Sequence, residues 1–353
     1  VLIFIYILIA THIMTDFNAE FTRQIVRVAT CNLCQWALDF DGNLQRVKES
    51  IKKAKDAGAK FRIGPELELS GYSCEDHFLE MDTYLHCEQS LAAILLSDLT
   101  DGLLCEIGMP IMFNNVRYNC RVYCFNRKIL LIRPKCFLAD DGNYRERRYF
   151  STWNIENTKL SDFVLSDILR RATGQYIVPI GVAVISTRET RIAAEVCEEL
   201  WAPRSPHINF FLSGVEIVSN GSGSHHELRK LNSRIDLMKN ATRKCGGVYV
   251  YSNQRGCDGN RLYFDGCSLV CVNGEVVAQA SQFSLQDVEV ITADIDLEAI
   301  RTYRGNAASL QEQASRTSEY ARIECKDISL LVDNTITAVQ SPPIQARIHT
   351  PEE

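Results

Sequence analysis

Three short apolar runs in this chain each stop at a side chain that carries chemistry. Phe61–Ile63 leads into Gly64-Pro65-Glu66, Lys128–Arg133 into Pro134-Lys135, and Ile192–Val196 into Cys197 and the acidic turn Glu198-Glu199 that Pro203 closes. Runs this short, punctuated by Gly and Pro, read as buried strands rather than helices. An α/β sheet presents its sites at the carboxyl ends of its strands, so one pattern bounds both the fold and the place where function would lie. Taken singly, each residue has a plainer reading. A strand-end cysteine is usually an inert core hydrophobe, and a Glu and a Lys are usually an ion pair.

The rest of the chain supplies the layers. Ile25–Cys31 is a strand candidate. Leu44, Val47, Ile51 and Ala54 repeat at helical spacing between the N-cap candidates Asp41 and Asn43 and the stop at Gly58. With Phe61–Ile63 this makes a β–α–β unit. A helix is predicted over 89–99, strands over 103–112 and 121–125, and a hairpin through Asn126-Arg127 that delivers Lys135. Residues 139–175 read as polar and irregular. Strands are expected at 182–186, 191–196 and 216–219, the last running into the loop Asn220-Gly221-Ser222-Gly223-Ser224. That loop lacks the Gly-Lys-Ser/Thr ending of a phosphate loop. Leu228, Leu231, Ile235 and Met238 mark a helix ended by Gly246-Gly247. A strand at 248–251, the Asn273-Gly274 hairpin, a strand at 288–294 and a helix at 297–303 follow. Strands separated alternately by helices and tight hairpins require layers of both kinds.

With 353 residues, 46% of them hydrophobic, the chain can bury one large core or two moderate ones. A net charge of -6 gives no electrostatic case for nucleic acid or an anionic membrane. Fourteen cysteines without a repeating framework point to a reducing, cytoplasmic compartment. Cys31-Asn32-Leu33-Cys34 has redox spacing, but its first cysteine ends a strand and no helix follows at once. Val1–Ala10 is apolar yet too short to span a bilayer, and it has no basic flank of the kind a signal peptide carries. Met14 is the more natural start. Residues 1–24 are therefore expected to be a leader or fragment edge, and Ser341-Pro342-Pro343 a linker.

A Glu, a Lys and a Cys at strand ends, in that order, resemble the carbon–nitrogen hydrolase (nitrilase) superfamily. The text around them is similar to the glutaminase domains of glutamine-dependent NAD synthetases. It includes Glu66-Leu67-Glu68-Leu69-Ser70-Gly71-Tyr72, Trp36-Ala37-Leu38-Asp39-Phe40, Tyr118-Asn119-Cys120-Arg121, Asn143-Tyr144-Arg145-Glu146 and Gln254-Arg255-Gly256-Cys257-Asp258-Gly259. The resemblance implies a four-layer α-β-β-α sandwich over residues 25–305, with 306–353 an extension toward a synthetase domain. It implies hydrolysis of L-glutamine, the ammonia serving to amidate deamido-NAD to NAD. ATP and Mg would belong to the synthetase domain, in cis or trans. That domain's Ser-Gly-Gly-x-Asp-Ser loop does not occur here, so the chain is expected to be the ammonia-producing half, with no cofactor and no metal of its own. A homo-oligomer without nucleic-acid or membrane partners is expected.

Amide hydrolysis needs a nucleophile, a base and a positive charge or donor where the oxyanion forms. Cys197 can supply the nucleophile, its thiolate favoured by a nearby ammonium. Lys135 can supply that ammonium and meet the oxyanion. Glu66 can take the thiol proton and pass it to departing ammonia. The three should converge, each within about 3–4 Å of a neighbour in the set. The resemblance adds Glu146 as a further carboxylate beside the lysine. It also adds Tyr144, Ser224 and Lys230 as glutamine contacts, with Ser222 the neighbouring alternative. Two other readings stay open, a free-standing amidase or carbamoylase and a non-catalytic regulatory partner.

Overall fold

The computed structural model describes residues 23–155 and 159–332. Residues 1–22 of the expected leader, and the Ser341-Pro342-Pro343 linker, lie outside the described residues. The chain opens with strand β1 (Ile25–Leu33), helix α1 (Phe40–Asp56), β2 (Phe61–Ile63) and α2 (Met81–Leu95). The meander β3 (Leu104–Phe113), β4 (Val116–Phe125) and β5 (Lys128–Pro134) follows. Next come α3 (Glu146–Tyr149), β6 (Ser161–Val164), α4 (Asp167–Thr173) and β7 (Ile177–Ile180). The second half runs β8 (Ala183–Ser186), β9 (Arg191–Val196), α5 (Pro206–Leu212), β10 (Ile217–Ser222), α6 (Lys230–Cys245) and β11 (Val248–Cys257). It ends with β12 (Tyr263–Asp265), β13 (Leu269–Val272), β14 (Glu275–Gln279), β15 (Val288–Asp296), α7 (Leu297–Gly305), α8 (Ala308–Ala314) and β16 (Ala321–Glu324).

The sixteen strands form one continuous hydrogen-bonded network that divides at the β1–β11 contact into two mixed sheets, β6-β7-β5-β4-β3-β2-β1-β15 and β16-β8-β9-β10-β11-β13-β14, with β12 pairing off β11. Among the described residues, strand pairing joins them only where Asn32 and Leu33 at the end of β1 pair in parallel with Asn253 and Gln254 of β11. Side-chain alternation along each strand then sorts the core into layers. Val26, Val28, Phe61, Ile63, Leu104 and Tyr123 of the first sheet pack against Ile192, Ala194, Ile217, Val248 and Val250 of the second. On the opposite faces, Ala29, Cys31 and Leu33 meet Val47, Ile51 and Ala54 of α1, while Val218 and Tyr249 share a core with Phe210, Ile235 and Met238 of α5 and α6. The result is helix on sheet on sheet on helix, the α-β-β-α sandwich expected from the sequence.

Several local expectations are corrected. The helix placed at 89–99 spans Met81–Leu95. Its buried stripe of Thr83, Tyr84, Cys87, Ser90, Leu91, Ile94 and Leu95 keeps helical spacing, but polar residues in its first half hide the pattern. The supposedly irregular stretch 139–175 holds α3, β6 and α4. Helix α4 is signalled by Ser166, whose side chain caps Leu169 N–H, and by Gly174 at φ 68° past its end. The first three residues of the loop begun at Asn220 are strand, since β10 runs to Ser222. Beyond residue 305, β16 pairs in parallel with β8 and Leu331 bridges back to Val26. All fourteen cysteines are unpaired, Cys31 and Cys34 included. Among the described residues no helix is long and apolar enough to cross a membrane.

Candidate active site

Glu66 lies just past the end of β2, fully buried. Its Oε1 accepts hydrogen bonds from Lys135 Nζ at 2.6 Å and Asn119 Nδ2 at 2.7 Å. Its Oε2 accepts from Gly223 N–H at 2.9 Å. Glycine is required at 223, because a Cβ there would come within 2.6 Å of the Tyr72 ring. Lys135 follows the end of β5, its own N–H bonded to the Asn119 carbonyl at 2.8 Å. Its ammonium also bonds Glu146 at 2.8 Å. Glu146 opens α3 and accepts Tyr72 O–H at 2.5 Å and Ala139 N–H at 3.2 Å.

Cys197 leaves β9 from the other sheet. It has a left-handed backbone, φ 41°, starts the turn Cys197–Leu200 and is 3% exposed. Glu199 ties its approach to that of Lys135. The Glu199 carboxylate accepts from Val196 N–H at 2.8 Å, from Cys136 N–H at 2.5 Å and from Arg133 at 2.6 Å. One buried carboxylate thus holds the residue before Cys197 and the residue after Lys135. The Cys197 thiol feels the charges of Glu66, Lys135 and Glu146.

A profile of the carbon-nitrogen hydrolase family matches residues 27–305. The chain belongs to this carbon-nitrogen hydrolase family. It is 53% identical over 328 residues to the glutamine-dependent NAD(+) synthetase of Macaca fascicularis, an alignment that covers 93% of this chain and 46% of that protein. The chain therefore spans about half the length of such relatives. A crystal structure of a glutamine-dependent NAD(+) synthetase from Cytophaga hutchinsonii superposes with a TM-score of 0.66 at 25% identity, covering 77% of this chain and 43% of that one. An amidase of the nitrilase superfamily from Nesterenkonia AN1 shares the fold, with a TM-score of 0.60 at 15% identity over 83% of this chain and 99% of that one.

In this carbon-nitrogen hydrolase, a cavity of about 660 Å³ opens beside the thiol. Cys197, Glu198, Trp201, Tyr144, Ser224 and Lys230 line it, together with Asp141 and Glu227. The sequence-derived contacts Tyr144, Ser224 and Lys230 are thus gathered around Cys197. Lys230 Nζ lies 5.5 Å from the Tyr144 ring centre and 5.9 Å from that of Trp201. Tyr144 O–H bonds the Gly223 carbonyl at 3.3 Å and accepts His225 N–H at 3.1 Å. The alternative Ser222 is occupied internally, its hydroxyl bonded to Asn220 at 2.9 Å. The Ser224 hydroxyl is buried and has no partner among the described residues. Among the described residues no cluster of His, Cys, Asp or Glu is arranged to hold a metal ion.

Electrostatics differ from the sequence expectation at one point. Burial pushes the Cys197 thiol above its ordinary value, the Glu66 charge adds to this, and Lys135 opposes without prevailing. The ammonium is already shared by two carboxylates, so little of its field is left for the sulfur. Burial works against the charge on Lys135 too, but Glu146 and Glu66 more than offset it and hold the ammonium protonated. Glu146 is pushed up to about 7 by burial, with Lys135 opposing and Glu66 adding. The resting group is therefore a thiol, and a thiol can serve as a nucleophile only where a neighbouring base takes its proton.

Removing the Glu66 carboxylate has an unusual expected result. In Glu66→Gln, any amide hydrolysis at Cys197 should fall by about 100-fold or more. Cys197 should nevertheless alkylate with iodoacetamide at lower pH than in the parent chain, because a carboxylate that raises the thiol is gone and Lys135 remains. Site-resolved mass spectrometry over a pH series checks this. An unmoved Cys197 profile would mean that Glu66 does not act on the thiol.

Proposed function

We propose that this chain is a glutamine amidohydrolase, the glutaminase portion of a glutamine-dependent NAD(+) synthetase. The observation that carries this reading is the Glu66–Lys135 pair at 2.6 Å beside a strand-end thiol, in a chain 53% identical to such synthetases. In this reading Cys197 attacks the side-chain carboxamide carbon while Glu66 accepts the thiol proton. The oxyanion forms against Lys135. When the tetrahedral intermediate collapses, the C–N bond breaks and Glu66 returns the proton to nitrogen, so ammonia leaves and a thioester remains on Cys197. Glu66 then deprotonates a water that adds to the thioester, and cleavage of the C–S bond releases glutamate and restores the thiol. Glu146 keeps the ammonium in place from its far side.

The cavity chemistry suits a free amino acid. Lys230 supplies a cation for the α-carboxylate, and Glu198 and Asp141 supply carboxylates for the α-ammonium. The unpartnered Ser224 hydroxyl supplies a directional contact. Ammonia would pass to a synthetase domain, where ATP and Mg act on deamido-NAD. Fourteen unpaired cysteines support a reducing, cytoplasmic setting.

Ammonia release from glutamine, compared with a panel of other primary amides, tests the substrate. Preference for a simple amide would favour the free-standing amidase instead. Ser224→Ala should weaken glutamine binding by about 1–3 kcal/mol, seen as a raised KM with kcat nearly unchanged. Its thermal stability should equal that of the parent, since the hydroxyl has no partner to lose among the described residues. A fall in Tm with unchanged KM would remove Ser224 from the binding site.

A further inference from the structure

Cys197 is a non-glycine residue with φ 41° at the end of β9, a backbone state that needs to be held. What holds it is Asn220, on the neighbouring parallel strand β10 and opposite Glu195 in register. Asn220 Oδ1 accepts Cys197 N–H at 2.9 Å, and Asn220 Nδ2 lies 3.4 Å from the Cys197 carbonyl oxygen. The same side chain therefore clasps both backbone polar groups of the residue.

Which way this amide faces is decided further back. Asn220 Nδ2 donates to Tyr249 Oη at 2.8 Å, and Tyr249 O–H donates to Glu195 Oε2 at 2.5 Å. A carboxylate only accepts, so Tyr249 must give its proton to Glu195 and present a lone pair to Asn220. That lone pair requires the NH₂ end of the amide, which leaves Oδ1 turned to Cys197 N–H. Glu195 is itself fixed by His207, whose N–H and Nδ1 lie 2.5 Å and 3.0 Å from its Oε1. Glu195, Asn220 and Tyr249 are fully buried, so no water competes for these bonds.

We infer that Asn220, oriented through Tyr249 by Glu195, is the positioning residue that holds the Cys197 backbone in its left-handed, reactive placement. This rests on Cys197 being the nucleophile. Asn220 reaches the reaction through the Cys197 backbone and lines no part of the cavity, so its loss should act on turnover and spare glutamine binding.

The experiment measures kcat and KM for ammonia release from glutamine in Tyr249→Phe, Asn220→Ala, their double variant and Asn220→Asp, with Cys197→Ala as control. Tyr249→Phe removes a single oxygen and should lower kcat about tenfold with KM within about twofold. The double variant should be no worse than Asn220→Ala alone, because both act through one clasp. Asn220→Asp, which keeps an oxygen toward Cys197 N–H, should retain more kcat than Asn220→Ala. Full kcat in Tyr249→Phe, a loss confined to KM, additive losses, or equal losses in the Asp and Ala variants would overturn the inference. Hydrolysis surviving in Cys197→Ala would instead overturn the assignment of the nucleophile beneath it.

Discussion

Cys197→Ala is expected to abolish ammonia release from glutamine, by on the order of 10⁴-fold or more. The only sulfur lining the cavity among the described residues is lost, and neither Glu66 nor Lys135 can form the thioester in its place. The substitution deletes one sulfur in a site already buried, and Asn220 still clasps the backbone, so the fold should survive it. The sharpest form of the experiment joins the chain to a synthetase domain. The variant should then fail with glutamine but still make NAD with excess ammonium, since the second half-reaction needs ammonia and no thioester. Equal loss with both nitrogen sources would mean that Cys197 holds structure together and carries no chemistry.

Lys135→Ala should fail twice. Loss of the charge facing the oxyanion is expected to cost about 100-fold or more in kcat. It also leaves Glu66 and Glu146 buried against each other with no cation between them. Breaking a buried pair from one side typically costs about 3–5 kcal/mol. The pH dependence of that cost has a definite sign. Lys135 is the group that holds Glu146 down, so in the variant the Glu146 pKa should rise above its present value of about 7. A carboxyl with a raised folded-state pKa stabilises the fold below its unfolded pKa, and that stability is lost as pH climbs through the folded value. The Tm gap between variant and parent should therefore widen from pH 5 to pH 8. A constant gap would mean that the two carboxylates do not share this ammonium.

The strands bearing Glu66, Lys135 and Cys197 are legible in the sequence because each is a short apolar run ended by Gly, Pro or a turn of charges. Burial on both faces leaves such a signature. These runs and the helices between them called for layers of both kinds, while the four-layer order came from the resemblance to the carbon–nitrogen hydrolases. What stayed hidden has a different physical origin. Helix α2 begins among polar residues, and its stripe includes Thr83 and Ser90, which no hydrophobic count registers. Helix α4 is seven residues long and identified mainly by its caps. Glu199 and Asn220 act through bonds to backbone atoms of residues distant in sequence. A local pattern contains nothing about such partners. Gly223 was visible as part of a glycine-rich loop, yet its purpose depends on the Tyr72 ring, which only the packed structure brings against it.

Among the described residues, strand pairing between the two sheets occurs at a single place, where the end of β1 meets Asn253 and Gln254 of β11. Glu66 and Lys135 hang from one sheet and Cys197 from the other, with Glu199 as the rivet between them. Under the proposed function, hydrolysis would therefore double as a gauge of slippage. A substitution deep between the sheets, far from any substrate, can leave each sheet intact and still slide the thiol off its base. In such a protein the rate of ammonia release would report mechanical misalignment of the core well before any melting curve did.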